Sequence, residues 1–410
     1  METVTVTGVG VVCAIAGDVG AFERALREGR RGVRPRPDGG PPAALLDEEV
    51  RDALPVLPAG APDGLRRSAE RLTRRAPLPL RAAVGVAAEA WVGAGLHTGA
   101  VPGDRVGLVV AGSNLTGRHL TGLHDRYANR PAHLPPRAAL RLLDTDHVGT
   151  ISQLLGITGE GCTVGAASAS GNAGLVHGAR LVAIGEADVC LVVGALTDLS
   201  AVEERALLNV GAMAPGPAGP PFDETHGGFA YGQGAACVVL ESRRSARARR
   251  AEVLAELAGW DLRLAASSLT EPDGKAEAAT MTRAMRRAGV SPGEVSYVNA
   301  HGTGAPLGDA AEAEALRQVL GEAAGGAWVN STKALTGHCL AAAGVVEAVA
   351  TVVQMRGGFV HPNPGLEHPA DPGLRFAPAT GGIRADIGVA LSNGFGFGGF
   401  NGSVVFRLPA

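Results

Sequence analysis

Two helix-like segments made almost entirely of small and apolar residues constrain the fold of this chain most. They cover residues 170–184 and 341–349. A helix with small or apolar residues on several faces has no polar side to present to water, so it is expected to be buried. Small side chains also let such a helix fit a thin layer where a bulkier helix would not. The sequence therefore predicts helices buried as a layer between sheets.

Strand-like runs alternate with helix-like runs along both halves of the chain. The apolar runs that read as strands are 3–12, 106–110, 162–165, 189–193, 235–240, 254–264, 295–298, 329–332 and 387–391. Strands that alternate with helices indicate an α/β fold. The second half repeats the pattern of the first, and the basic helix start at 243–250 is a plausible junction. We therefore expect one half at residues 1–245 and another at 246–410.

Composition narrows the class of protein further. The chain has 410 residues, of which 46% are apolar but only 4% aromatic, so its core must consist mainly of Ala, Val and Leu. A net charge of −3 argues against a nucleic-acid partner. Of 37 basic residues only Lys275 and Lys333 are lysines. Where arginine is so strongly favoured, a lysine suggests that a compact ammonium group is needed.

The cysteines and the termini indicate an intracellular protein. The five cysteines form no CxxC pair and lie mostly in apolar runs, which is typical of free thiols in a reducing compartment. The N-terminal sequence is not that of a signal peptide. We find no uninterrupted apolar run of about 18 residues, so no membrane-spanning segment is expected. The prediction is a cytoplasmic protein with no metal ligand set and no membrane contact.

A possible catalytic corner lies at residues 165–172, which read GAASASGN. This stretch follows a strand-like run and opens the first buried helix. A side chain at such a corner lies at the helix N-terminus, where backbone N–H groups favour an attacking anion or an oxyanion. Ser168 is the candidate nucleophile. Ser170 is a rival on another face of the helix start, and Cys162 is expected to be a core residue.

Two later blocks contribute further reactive side chains. HGTG at 301–304 follows a strand and contains His301, and residues 331–338 contain Lys333 and His338 at another strand-to-helix junction. Asp309 and Glu312 begin the helix after His301, where acidic residues also suit the helix dipole. A lone histidine is usually structural, so the context of these two blocks decides whether their histidines are functional.

These blocks, in this order, resemble the β-ketoacyl synthases of fatty-acid and polyketide assembly. The resemblance extends from VTVTGVGVV at 4–12, through PFD at 221–223, GF at 228–229, HGTG and STK, to GFGGFNG at 396–402. It implies a thiolase-like fold in which two pseudo-symmetric halves form α-β-α-β-α layers. It also implies a homodimer or a heterodimer, no bound cofactor, and substrates carried on the phosphopantetheine arm of an acyl carrier protein or coenzyme A.

The resemblance also implies roles for individual residues. Ser168 falls where a family member would carry its acyl-accepting cysteine. His301 and His338 would hydrogen-bond the substrate carbonyl, and Glu312 would pair with Lys333 and hold His338 in register. Phe397 matches the gating phenylalanine, whose backbone N–H would form an oxyanion hole with that of residue 168.

The serine decides which chemistry is plausible. A hydroxyl is far less acidic than a thiol and needs a general base such as His301 or His338 before it can attack. Our first hypothesis is a serine-based acyltransferase or atypical condensing enzyme of polyketide or related specialised metabolism. The second is a decarboxylase in which the two histidines act on malonyl-carrier without acylation. The third is a non-catalytic partner that resembles a chain-length factor.

Three residues depart from the family pattern and indicate a reshaped pocket, and two arginine clusters form a possible docking surface. Ala305 and Phe400 stand where the family often has a hydroxyl and a polar residue, and Gln233 replaces a common glutamate. Arginine clusters at 66–75 and 243–250 could dock an acidic carrier protein, although each could equally be a solvated helix face.

Overall fold

The computed structural model describes residues 2–409, and its helices alternate with strands throughout. The strands are β1 (Val4–Cys13), β2 (Val106–Ala111), β3 (Gly161–Val164), β4 (Val189–Gly194), β5 (Gly234–Ser242), β6 (Ala255–Leu264), β7 (Tyr297–Asn299), β8 (Trp328–Asn330), β9 (Phe359–Val360), β10 (Arg375–Phe376), β11 (Ile383–Arg384), β12 (Val389–Gly396) and β13 (Phe400–Arg407). The helices are α1 (Val19–Glu28), α2 (Glu48–Ala53), α3 (Asp63–Thr73), α4 (Leu78–Gly93), α5 (Gly117–Tyr127), α6 (Ala138–Arg141), α7 (Thr145–Leu155), α8 (Ser170–Ala183), α9 (Ala201–Asn209), α10 (Arg243–Ala248), α11 (Gly274–Ala288), α12 (Pro306–Leu320), α13 (Lys333–Thr336) and α14 (Ala343–Gly357).

The strand order shows the pseudo-symmetry of the two halves directly. In the first half the order is β1-β5-β4-β2-β3, and in the second it is β6-β13-β12-β7-β8, so corresponding strands take the same places. The first three strands of each series are antiparallel and the remaining neighbours are parallel. β10 adds a further strand beside β8. The two series join at β1 and β6, which pair antiparallel through Thr5–Glu256 and Val6–Ala255.

The two small-residue helices form the central layer, as their composition predicts. α8 contacts β2 and β4 of the first series and β6, β12 and β13 of the second, and α14 contacts β4, β5 and β12. α4 packs on β1 and β5 from one outer side, and α11 packs on β6 and β13 from the other. The protein therefore has the layered α-β-α-β-α arrangement. The chain segments that precede α8 and α14 lead into its central layer.

One helix–helix boundary differs from the sequence-based expectation. The helical pattern at 66–91 predicts one helix, but the chain forms α3 and α4 with a break at residues 74–77. Pro77 precedes α4, and Pro79 lies in its first turn. Proline has no N–H to donate to a preceding turn and disfavours the helical conformation of the residue before it, so the helix ends and restarts there.

The segment Leu340–Gly357 also requires a correction. It is long and apolar enough to cross a membrane by length and composition alone, whereas we expected no such segment. Most of it, 83%, is buried inside the fold, where α14 forms part of the central layer. Its hydropathy reflects a helix with neighbours on nearly every side.

Candidate active site

The corner that carries Ser168 is tightly fixed by the local backbone. Ala167 adopts a left-handed conformation with φ of 47°, which is uncommon for a residue with a Cβ. The Ser170 hydroxyl accepts a hydrogen bond from Ala166 N at 2.8 Å and donates one to Ala167 O at 2.7 Å. Ser170 is thus fully buried and engaged in holding the turn, whereas the half-buried Ser168 faces the cavity. Ser168 is the better-placed nucleophile candidate of the two.

Ser168 and His338 are in direct contact. Ser168 Oγ lies 2.9 Å from His338 Nε2, and which atom donates depends on the tautomer of the ring. The backbone of His338 is held on both sides, since its N–H donates to Ala230 O and its carbonyl accepts from Gly232 N. Phe229 packs edge-on against the imidazole with ring centroids 5.0 Å apart. His338 Nδ1 is buried and has no hydrogen-bond partner.

His301 stands beside His338 with its ring almost perpendicular, and the two centroids are 5.7 Å apart. Burial lowers the pKa of both imidazoles well below the usual value, and the Lys333 ammonium lowers each further. Both rings are therefore neutral at physiological pH. A neutral imidazole can present one N–H to a carbonyl or enolate oxygen without carrying a charge.

Two carboxylates shape the loop that bears His301. Glu312 accepts hydrogen bonds from His301 N and Gly302 N, both at 2.8 Å. Asp309 accepts from Thr303 N at 2.9 Å and from Phe222 N at 2.7 Å, and His226 Nδ1 lies 3.0 Å from it. The loop at 301–304 is thus held by side chains from the first two turns of α12.

The expected pairing of Glu312 with Lys333 is wrong. Lys333 Nζ instead forms a buried ion pair with Glu347 on α14 and donates a second hydrogen bond to His301 O. Glu312 is occupied by the backbone N–H groups and by Asn393 Nδ2, and desolvation raises its pKa to about 7. An acidic side chain within a small-residue helix is the sequence signal that could have identified Glu347.

One cavity of about 490 Å³ connects these groups to the protein surface. Ser168, His301 and His338 line it together with Phe397, whose side chain is 43% exposed. Leu269 and Leu307, each 75% exposed, form part of its apolar rim. The shared oxyanion hole of Phe397 and residue 168 stays a prediction, although a Cβ at Gly396 would come within 3.1 Å of Ser168 N, so the two backbones are close.

The other residues that the sequence singles out take different places in the structure. Cys162 lies half-buried on β3, where burial raises its pKa. Gln233 is buried, accepts from Leu46 N and donates to Asp198. Phe400 packs against the small residues of the Ser168 corner, and Ala305 lines the cavity.

The structure distinguishes the two arginine clusters, whose docking of an acidic carrier protein stays a prediction. In the second cluster, Arg243 pairs with Glu256, Arg244 with Asp188 and Arg249 with Glu241. Internal partners thus neutralise much of that cluster, while the arginines at 66–75 on and after α3 form no ion pair among the residues that the structure describes.

Comparison with known proteins identifies the family to which this fold belongs. Residues 1–246 match the Beta-ketoacyl synthase N-terminal domain, and residues 254–367 match the Beta-ketoacyl synthase C-terminal domain. The chain therefore belongs to the β-ketoacyl synthase family, with its thiolase-like fold.

Individual relatives cover essentially the whole chain. The polyketide biosynthesis malonyl-ACP decarboxylase PksF of Bacillus subtilis (strain 168) is 35% identical over 99% of this chain and 97% of its own length. The 3-oxoacyl-[acyl-carrier-protein] synthase 2 of Coxiella burnetii is 32% identical over 98% of this chain and 97% of its own. The ketosynthase structure of the AntDE:AntF complex, a type II PKS acyl-carrier protein with its ketosynthase bound to the hexaketide, matches over 100% of both chains with a TM-score of 0.87 and 25% identity.

Proposed function

We propose that this protein decarboxylates a malonyl group carried on an acyl carrier protein, without forming an acyl-enzyme. The observation that carries the proposal is that the neutral imidazoles of the buried His338 and the partly buried His301 share one cavity with an un-ionised hydroxyl. The similarity to a malonyl-ACP decarboxylase along the whole chain supports it. The carrier-bound substrate agrees with the complex of a similar ketosynthase with its acyl-carrier protein.

Decarboxylation needs little more than what these side chains supply. The bond between C2 of the malonyl group and its carboxylate carbon breaks, CO₂ leaves, and the electron pair becomes that of a thioester enolate. The negative charge develops on the thioester oxygen, where two fixed N–H donors stabilise it more effectively than water does. Lys333 contributes by keeping both rings neutral and by fixing the backbone of His301.

Acyl transfer through Ser168 is the second candidate function, because its hydroxyl is within hydrogen-bond reach of His338. An activated serine needs a base that can become an imidazolium, and that base is normally oriented by a third group. His338 Nδ1 has no such partner, and Lys333 disfavours a second positive charge nearby. The electrostatics therefore favour decarboxylation over acyl transfer. The scaffold hypothesis gains no comparable support from the site.

The cavity suits a substrate delivered on a flexible arm. Its apolar rim and its volume of about 490 Å³ would admit the phosphopantetheine of a carrier protein and place the malonyl thioester beside the histidines. We propose no bound cofactor for this reaction, because the leaving electron pair is held by hydrogen-bond donors alone.

The test follows CO₂ release and intact protein mass after incubation with malonyl-carrier protein. We expect the wild-type protein to release CO₂, to leave acetyl-carrier and to stay unmodified. Ser168→Ala should remain within about tenfold of wild type, since it loses one neutral hydrogen bond. His301→Ala or His338→Ala should each cost about 10²–10³-fold in rate, the usual effect of removing one oxyanion donor.

The alternatives give different results in the same experiment. An acyl adduct that disappears in Ser168→Ala would support the acyltransferase. Neither CO₂ nor an adduct, together with co-purification of a cysteine-bearing homologue, would support the scaffold. Either result would reject the decarboxylase.

A further inference from the structure

The active-site cavity contains an acidic side chain that the proposed oxyanion chemistry does not use. Glu277, near the start of α11, lines the same cavity as Ser168, His301 and His338 but is only 2% exposed. Its Oε2 is buried and has no hydrogen-bond partner. Buried polar atoms are nearly always partnered, so an orphaned oxygen at a cavity wall calls for a functional explanation.

Two effects compete for the charge state of Glu277. A position near a helix N-terminus favours the charged form of a carboxylate. Desolvation, followed by the nearby Glu312 and Asp273 carboxylates, acts in the opposite direction and raises the pKa of Glu277 to about 9. Burial is the larger effect, and the side chain is a neutral carboxylic acid at physiological pH. It is therefore a proton donor.

The surroundings of Glu277 connect it to the His301 loop. Met281, one helical turn further along α11, receives a contact from Asn393 Nδ2 at 3.2 Å. The same Asn393 group donates to Glu312 Oε1, which in turn accepts from His301 N. Asp273 accepts from Lys275 N and Ala276 N and so fixes the first turn of α11. The helix that carries Glu277 is thus connected through Asn393 and Glu312 to the backbone of His301.

We propose that Glu277 delivers the proton that converts the enolate into the acetyl product. This inference rests on the proposed decarboxylation, which leaves a carbanion equivalent at C2 that must be protonated before the product is released. The Glu277 O–H bond breaks and its proton moves to C2, while the enolate electrons form the new C–H bond and the thioester carbonyl is restored. The resulting carboxylate regains a proton from water entering through the cavity.

The experiment compares acetyl-carrier formation by wild-type protein, Glu277→Gln and Glu277→Asp. The glutamine is nearly isosteric but has no acidic proton, so its rate should fall by about 10²-fold or more, the usual contribution of a general acid. Aspartate keeps the acid and should restore part of that loss. Glu314→Gln, on the exposed face of α12, serves as a control that should behave as wild type.

A pH profile separates proton donation from a purely structural role. The protonated form is the active one, so wild-type turnover should fall as the pH rises through about 9, and Glu277→Gln should lack that fall. Glu312, whose pKa is raised to about 7, titrates in a lower window and is retained in both proteins. Thermal unfolding of each variant shows whether a lost rate reflects lost structure.

The experiment distinguishes a failure of the Glu277 inference from a failure of the proposed decarboxylation. Wild-type protein that releases CO₂ while Glu277→Gln keeps the wild-type rate and pH profile would overturn this inference alone. A folded Glu277→Gln whose lost rate Glu277→Asp does not restore at all would do the same. Wild-type protein that releases no CO₂ would reject the proposed function and this inference with it.

Discussion

At the scale of single residues, Lys333 forms a buried ion pair, holds the loop that bears His301 and keeps the nearby imidazole rings unprotonated. Its ammonium group is paired with Glu347, donates to the carbonyl of His301 and, after burial, is the next cause that lowers the pKa of His301 and His338. Both members of the ion pair have side chains that are 2% exposed. A buried charge is tolerated only when its partner is present, so the pair is expected to be strongly coupled.

We expect Glu347→Gln to lower the free energy of unfolding by about 3–5 kcal/mol, because it leaves the Lys333 ammonium buried without a counter-charge. Lys333→Met combined with Glu347→Gln should recover much of that loss, since no uncompensated charge remains. Denaturant unfolding measures both. Glu23→Gln breaks the exposed Glu23–Arg27 pair and should cost less than about 1 kcal/mol. Equal losses in the two single variants would contradict the coupling.

At the scale of secondary-structure elements, the crossing of α8 and α14 sets the position of both corners of the site. A Cβ at Gly171 would lie 2.6 Å from Val345 N, and one at Gly344 would lie 2.1 Å from Asn172 Oδ1. The two helices therefore approach more closely than any side chain at these positions allows. Ser168 lies two residues before α8 and His338 five residues before α14, so the spacing of the two helices controls the distance between their side chains.

Gly344→Ala should destabilise the protein by about 1–3 kcal/mol, the usual cost of overpacking, and should reduce turnover as well. Gly149→Ala is the matched control, because its Cβ on α7 would meet nothing within 4 Å. That change should stabilise the protein by about 0.5–1 kcal/mol. Thermal or denaturant unfolding gives the sign, and a neutral Gly344→Ala would show that the helices can separate without cost.

At the scale of the whole molecule, the two halves repeat one strand order but depend on each other. The two strand series are hydrogen-bonded to each other through the short pairing of β1 with β6, whereas α8 and α14 each contact strands of both series. Much of the apolar surface of β4 and β5 is covered by α14, which the second half supplies. The side chains that line the candidate site are divided in the same way, with Ser168 in the first half and both His301 and His338 in the second.

Residues 1–246 expressed alone should therefore lack a cooperative unfolding transition and should bind a hydrophobic dye, because their central layer is left uncovered. The full chain, treated identically, should unfold cooperatively and bind little dye. Calorimetry and dye fluorescence make the comparison. A sharp transition for the isolated half would show that its own core is sufficient.

The sequence alone determined the α/β class and the buried helix layer, because these depend on local periodicity and composition. It also identified the residues that gather at the site, because these lie in short, recognisable motifs. It could not assign the partner of Lys333 or the charge state of Glu277. In the sequence Glu277 looks like an ordinary acid at a helix start, and Glu312 is as plausible a partner as Glu347. Only the tertiary structure decided these points, since pairing and desolvation depend on which segments meet across the central layer.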